Sequence, residues 1–337
     1  MTFHFIASSV VSLLPVLTFL TVLLYFDSYK LVRLRFILSI VACGAAIAVV
    51  SYALNGLAIA LLDIDVASYA RNVAPPIEEI LKAAIIVVLI RTHRIGFPVD
   101  AAICGFAVGT GFAMVENLYF LRAIPDAGMG TWIVRGFGTA FMHGGVTAIF
   151  AILALVLRER APRSHALSLL PGFAAVVLLH MGFNHLSAWP HVAAICGLVL
   201  LAPLLYIVFQ YSERAVGKWL GRGFDADAEM LKLINSGELS SSPVGKYLTK
   251  LKHRFRGPVV GDLLCYLRVY TELALRAKGM LMMRESGFDL PMDEATKAKF
   301  SELRYLEASI GKTGLRALKP MRHISDEELW QLNMLRD

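Results

Sequence analysis

Residues 73–90 read V-A-P-P-I-E-E-I-L-K-A-A-I-I-V-V-L-I. As a helix this stretch is nearly long enough to cross a bilayer core of about 30 Å, which takes roughly 20 residues. Pro75 and Pro76 stand at its start, where a missing N–H does no harm. Nothing after them breaks a helix. Yet Glu78, Glu79 and Lys82 lie inside it. A charged side chain deep in a membrane helix costs about 2.5–3.5 kcal/mol on insertion scales. Residues that expensive must face one another, or face water in a cavity.

The stretches around it have the same apolar character. Seven segments, near residues 5–26, 36–62, 73–90, 98–121, 136–157, 167–187 and 191–211, are long and apolar enough to read as spans. The expected fold is therefore all-α: a polytopic membrane protein of about seven transmembrane helices. The first segment does not read as a signal peptide, because Lys30, Arg33 and Arg35 follow it rather than precede it. Loops 27–35, 91–97 and 158–166 carry eight basic residues, against three in loops 63–72, 122–135 and 188–190. The excess marks the first set as cytoplasmic. That puts the N-terminus outside and the C-terminus inside.

The apolar excess, 57% of 337 residues, ends near position 212. Two domains are expected: a transmembrane domain at 1–211 and a cytoplasmic helical region at 212–337. In the latter, 225–236, 262–285 and 292–310 show helical spacing, and Ser325 with Glu328 reads as a capping box opening a last helix. Lys246, Lys250, Lys252, Arg254 and Arg256 form a basic cluster suited to anionic headgroups or to solvent. The net charge of +7 is spread over both halves, so nucleic acid is not an expected partner. The four cysteines have no metal-ligand spacing and imply no disulfide framework.

Further polar residues interrupt the later spans: Glu116 and Asn117 in the fourth, His143 in the fifth, His180 and Asn184 in the sixth. Taking the 1.5 Å rise per residue, Glu79, Glu116, His143 and His180 each lie roughly 8–10 Å from the outer end of their helix. Four helices thus bring an acid or a base to one depth in the outer leaflet. Glu78 and Lys82, four apart, share a face and are expected to pair, with Glu79 turned away from them. Gly105, Gly109 and Gly111, with Gly144 and Gly145, would let the helices approach closely.

This set suits hydrolysis. No G-x-S-x-G elbow and no H-E-x-x-H zinc motif is present. A carboxylate that deprotonates water, with imidazoles and an amide beside it, remains. The same groups could hold zinc at an open site. The residues leave both alternatives open, and ion-coupled transport is a further one, since intramembrane Glu and His also mark ion pathways.

The motifs E-E-I-L-K at 78–82, F-A-M-V-E-N at 112–117, His143 alone in the next span and H-M-G-F-N at 180–184 recur in order on successive helices. In this the chain resembles the PrsW intramembrane proteases, relatives of the type II CAAX prenyl proteases and of the anterior-pharynx-defective subunit of gamma-secretase. The resemblance spans about residues 36–211. It implies a glutamate-dependent or metallo-type protease in a bacterial inner membrane, cutting membrane-anchored proteins such as anti-sigma-factor-type regulators. It implies Glu78, Glu79, Glu116, His143 and His180 as catalytic residues, with Lys82, Asn117 and Asn184 in support. A metal, zinc if there is one, would sit among Glu79, Glu116, His143 and His180. A non-catalytic scaffold that binds membrane segments is the alternative the gamma-secretase relative suggests. The tail from 212 lies outside the resemblance, and a cytoplasmic partner is its expected role.

Overall fold

A computed structural model describes residues 2–29, 31–160, 167–186, 189–288, 291–318 and 330. Among them the secondary structure is helical, with no strand. The helices are α1 (Thr2–Phe26), α2 (Leu34–Leu62), α3 (Val66–Asn72), α4 (Ala74–Arg91), α5 (Pro98–Ala123), α6 (Met129–Val134), α7 (Ala140–Arg160), α8 (Leu170–His185), α9 (Pro190–Ser236), α10 (Pro243–Leu251), α11 (Gly257–Glu285) and α12 (Glu294–Leu318). A π-helical segment, Arg135–Thr139, joins α6 to α7. The capping box expected at Ser325 and Glu328 lies outside the described residues.

Among the described residues, five helical stretches are long and apolar enough to cross a membrane: Phe3–Phe26, Leu34–Leu62, Pro98–Ala123, Met129–Arg158 and Pro190–Ser236. The chain is a multi-pass membrane protein. The other two expected spans are helices as well, but of a different kind. α4 carries Glu78, Glu79, Lys82 and Arg91 in 18 residues, and α8 is only 16 residues long. Neither could face lipid all round. Both are helices whose polar face must be covered by neighbours.

The chain divides into two compact units, Met1–Asp27 with Leu31–Glu213, and Ser28–Lys30 with Arg214–Asp337. In the first, α5 is the central helix. Every residue from Val99 to Ala113 is buried, between α7 on one side and α2 on another, with α1 also against it. Asp100 starts the helix: its two carboxylate oxygens accept the backbone N–H groups of Gly96 at 2.8 Å and Phe97 at 2.9 Å. The contact with α7 is a backbone contact. A Cβ on Gly109 would lie 2.2 Å from the carbonyl oxygen of His143, so only glycine permits this approach. By contrast, α1 and α2 expose apolar side chains such as Leu14, Leu38, Val49 and Leu57, as a lipid-facing surface does.

The second unit is built on the C-terminal part of α9 with α10, α11 and α12. The change to amphipathic composition near residue 212 leaves no break in the backbone, and α9 runs on to Ser236. No proline follows Pro203 within it, and mixed polar and apolar residues propagate a helix as readily as apolar ones. The core of this unit is the buried face of α11, including Leu263, Leu267, Leu273 and Leu281, against Leu303, Leu306 and Ile310 of α12. Lys278 on α11 is fully buried and pairs with Asp227 on α9 at 2.5 Å. α12 is kinked at Gly311, where φ is 61°.

Candidate active site

α4 enters the first unit through Pro75 and Pro76, and its first two turns carry the acids. Glu79 and Lys82 are almost wholly enclosed, and Glu78 is partly exposed. Lys82 Nζ donates to Glu79 Oε1 at 2.5 Å. The pair is therefore i,i+3, not the i,i+4 pair of Lys82 with Glu78 that the sequence suggested. Both spacings bring side chains together on a helix. Burial decides between them, because Glu79 faces the interior with Lys82 while Glu78 turns toward α2. There Glu78 Oε1 accepts a long bond, 3.4 Å, from Asn55 Nδ2, and Asn55 Oδ1 accepts from Tyr69 Oη at 2.8 Å.

The two histidines stand edge to face, with ring centroids 4.9 Å apart. His180, on α8, brings Nδ1 within 2.8 Å of Glu79 Oε1, and its Nε2 is 3.9 Å from Glu78 Oε2. His143, on α7, brings Nδ1 within 3.0 Å of Lys82 Nζ and Nε2 within 2.8 Å of Glu116 Oε2. A carboxylate only accepts and an ammonium only donates. These partners therefore place the proton of His180 on Nδ1 and that of His143 on Nε2. Lys82 Nζ also lies 4.7 Å from the centroid of the Phe112 ring, which closes one wall with the ring of His143 beside it.

Glu78, Glu79, Lys82, Glu116, His143 and His180 thus form one continuous cluster drawn from α4, α5, α7 and α8. Two residues expected in support lie outside its centre. Asn184 Nδ2 donates to the backbone oxygen of Ala70 at 2.9 Å, tying α8 to α3. Asn117 Nδ2 donates to Ser12 O at 2.9 Å and its Oδ1 accepts from Arg135 Nε at 2.9 Å. Neighbours in sequence diverge by about 100° on a helix, so Asn117 cannot join Glu116.

The sequence reading missed Arg135, whose Nη2 lies 3.2 Å from Glu116 Oε1. It lies one residue before the expected start of its span, in a stretch that reads as an outer loop. Asn55 and Tyr69 were missed too. Asn55 alone carried a signal, as a polar residue inside an apolar segment.

Among the described residues, one ligand atom from each of Glu78, His143 and His180 can come within 4.8 Å of the other two. Two imidazoles and one carboxylate are the donor types of an open zinc site. The group contains Glu78 and not Glu79, whose Oε1 is engaged by Lys82 and His180. His143, with Lys82 at Nδ1 and Glu116 at Nε2, would have to give up one of these partners to bind a metal. His180 meets a further requirement of such sites, a carboxylate holding the ring nitrogen that does not face the metal.

A family model described as PrsW family intramembrane metalloprotease matches residues 32–209, more than half of the chain. The chain belongs to the PrsW family. No curated protein and no solved structure matches it. The PrsW match takes in α4, α5, α7 and α8, and so every member of the acid–base cluster. It begins after α1, whose Ser12 carbonyl is bonded to Asn117.

Proposed function

We propose that this protein is an intramembrane endopeptidase of a bacterial inner membrane, with its N-terminus outside and its C-terminal region in the cytoplasm. It hydrolyses membrane-anchored proteins, regulators of the anti-sigma-factor type among them, at a site opening near the outer leaflet. Glu78 and His180 are its catalytic residues, with His143 beside them. The observation that carries this reading is the 3.9 Å gap between Glu78 Oε2 and His180 Nε2. That gap is too long for a direct hydrogen bond. Both atoms are acceptors, and a substrate water bonded to both would have its protons directed at them and a lone pair free for the scissile carbonyl. Glu78 takes the water's proton as the new C–O bond forms. It returns that proton to the amine nitrogen as the C–N bond breaks.

The other groups position these two. Glu79 accepts the Nδ1 proton of His180 and so keeps Nε2 an acceptor. Lys82 neutralises Glu79 and holds the ring of His143 through Nδ1. Glu116 holds the same ring from its other nitrogen. The donor set also suits zinc: Glu78 and His180 Nε2 would hold it, and His143 would join them only by releasing Lys82 or Glu116, which engage its two ring nitrogens. A bound zinc would act as a Lewis acid on water or on the carbonyl.

The test uses purified wild type with Glu78→Gln, Glu79→Gln and His180→Ala in detergent, chelated extensively, against a panel of single-span membrane proteins. Cleavage by wild type alone supports the assigned site. Survival of that cleavage under chelation assigns the base role to Glu78 without metal, and loss restored by added zinc assigns the trio as ligands. Full cleavage by every variant sinks the site. Cleavage by no form of well-folded protein moves the reading to a scaffold that binds membrane segments.

A further inference from the structure

Arg135 makes three contacts that converge on one task. Its Nη2 pairs with Glu116 Oε1 at 3.2 Å, its Nε donates to Asn117 Oδ1 at 2.9 Å, and its guanidinium lies 3.9 Å from the centroid of the Phe120 ring. Glu116, Asn117 and Phe120 all belong to α5, so the guanidinium is clamped on one helix by charge, hydrogen bond and ring face. Glu116 uses its other oxygen, Oε2, for His143 Nε2. One carboxylate thus joins Arg135 to the ring of His143, which stands beside the proposed catalytic pair of Glu78 and His180.

The backbone is shaped for this. Arg135 and His143 are eight residues apart, which in a regular helix would turn them roughly 80° from one another. The π-helical segment Arg135–Thr139 lies between them. A π-bulge inserts one residue without advancing the helix, which takes back about 100° and returns the two side chains to nearly the same face. The segment is also anchored from outside. Pro15 in α1 has no N–H to offer the carbonyl of Val11, and Gly136 packs there: a Cβ on Gly136 would lie 2.3 Å from Val11 O. One residue further along α1, the carbonyl of Ser12 holds Asn117.

We propose that Arg135 is a positioning residue of the active site: by fixing Glu116, it fixes the ring of His143 and the nitrogen that carries its proton. The link runs from α1, which precedes the family-matched region, through Asn117 and Arg135 to Glu116 and His143. The role in catalysis rests on the protease reading above. The effect on His143 does not.

The experiment compares full-length wild type, Arg135→Gln and Arg135→Lys in detergent. Diethylpyrocarbonate labelling at His143 and at His180 is read by mass spectrometry. Arg135→Gln should raise labelling of His143 several-fold and leave His180, which Glu79 holds, unchanged. Arg135→Lys, which keeps the charge, should stay near wild type. On a cleaved substrate, Arg135→Gln should lower kcat about 10–100-fold with KM unchanged, Arg135→Lys should recover part of it, and Arg135→Gln should cost little more in a Glu116→Gln background. Unchanged labelling of His143 in Arg135→Gln overturns the proposal, as does an equal rise at both histidines, which would mean general loosening. A wild type that cleaves nothing defeats the protease reading, and the labelling then decides the role of Arg135 alone.

Discussion

Lys82 Nζ lies 2.5 Å from Glu79 Oε1, and both side chains are almost completely enclosed, whereas Glu78, the adjacent residue, is partly exposed and bonds only at long range. Two glutamates side by side in sequence therefore occupy unlike surroundings. One is consumed by an ion pair and by His180. The other is left with a long bond from Asn55 and a 3.9 Å approach to His180.

Removing Lys82 should leave Glu79 as an unpaired buried charge. Breaking a buried pair in this way costs about 3–5 kcal/mol. Lys82→Met should show a loss of that order in thermal or denaturant unfolding in detergent. Adding Glu79→Gln to it should restore most of the loss, because no charge is then left alone.

Glu78 and Glu79 should separate by readout. Glu78→Gln should lower kcat by about 10²–10⁴, the usual worth of a general base, with the unfolding midpoint unchanged. Glu79→Gln should lower both, since it strips Lys82 of its partner. Steady-state cleavage and melting of the same preparations check this. A Glu78→Gln protein that melts early and works normally would reverse the two roles.

Gly109 should tolerate no side chain. Gly109→Val sets its branches against the backbone of α7 at His143, where even a Cβ would be 2.2 Å from the carbonyl oxygen. Overpacking of this kind costs about 1–3 kcal/mol or more. Lower yield of folded protein and a lower unfolding midpoint should follow. Gly56→Ala, where a Cβ would meet nothing, is the control.

In the second unit, Asp293 caps the start of α12. Its Oδ1 accepts from Thr296 N at 2.7 Å, and Arg276 pairs with the carboxylate at 2.9 Å. The hydrogen bonds with Thr296, then those with Arg276, hold its pKa down to about 2 from an ordinary 3.8. A carboxylate depressed in the folded state stabilises it above the unfolded value and loses that contribution as pH falls toward the folded one. The window is thus between about pH 4 and pH 2. Carbon NMR titration of the Asp293 carboxylate should show the low midpoint, and Asp293→Asn should remove the acid sensitivity of the α12 N-terminus.

The existence of the helices and the convergence of Glu78, Glu79, Glu116, His143 and His180 were legible in the sequence. An acid or base inside an apolar segment is costly, and it finds relief by facing another such group or water in a cavity. Pairing within that site was not legible. Glu78 and Glu79 are both within reach of Lys82, and which one pairs depends on the rotation of α4 against α7 and α8. Arg135 was hidden for a related reason: the π-helical segment changes which residues share a face, and helical spacing read at 3.6 residues per turn misses it. Asn184 shows the opposite case: four places from His180, it reads as a member of the cluster, and its side chain ties α8 to α3.

The cluster holds the carboxylates of Glu78, Glu79 and Glu116, against the cations of Lys82 and Arg135, around two uncharged imidazoles. In that protonation state it is one positive charge short of neutrality, in surroundings where an unbalanced charge is expensive. Taking a proton from water relieves the imbalance, and so would binding a cation. A proton on Glu78 or one bound cation would each be enough to cancel the charges of this group of side chains.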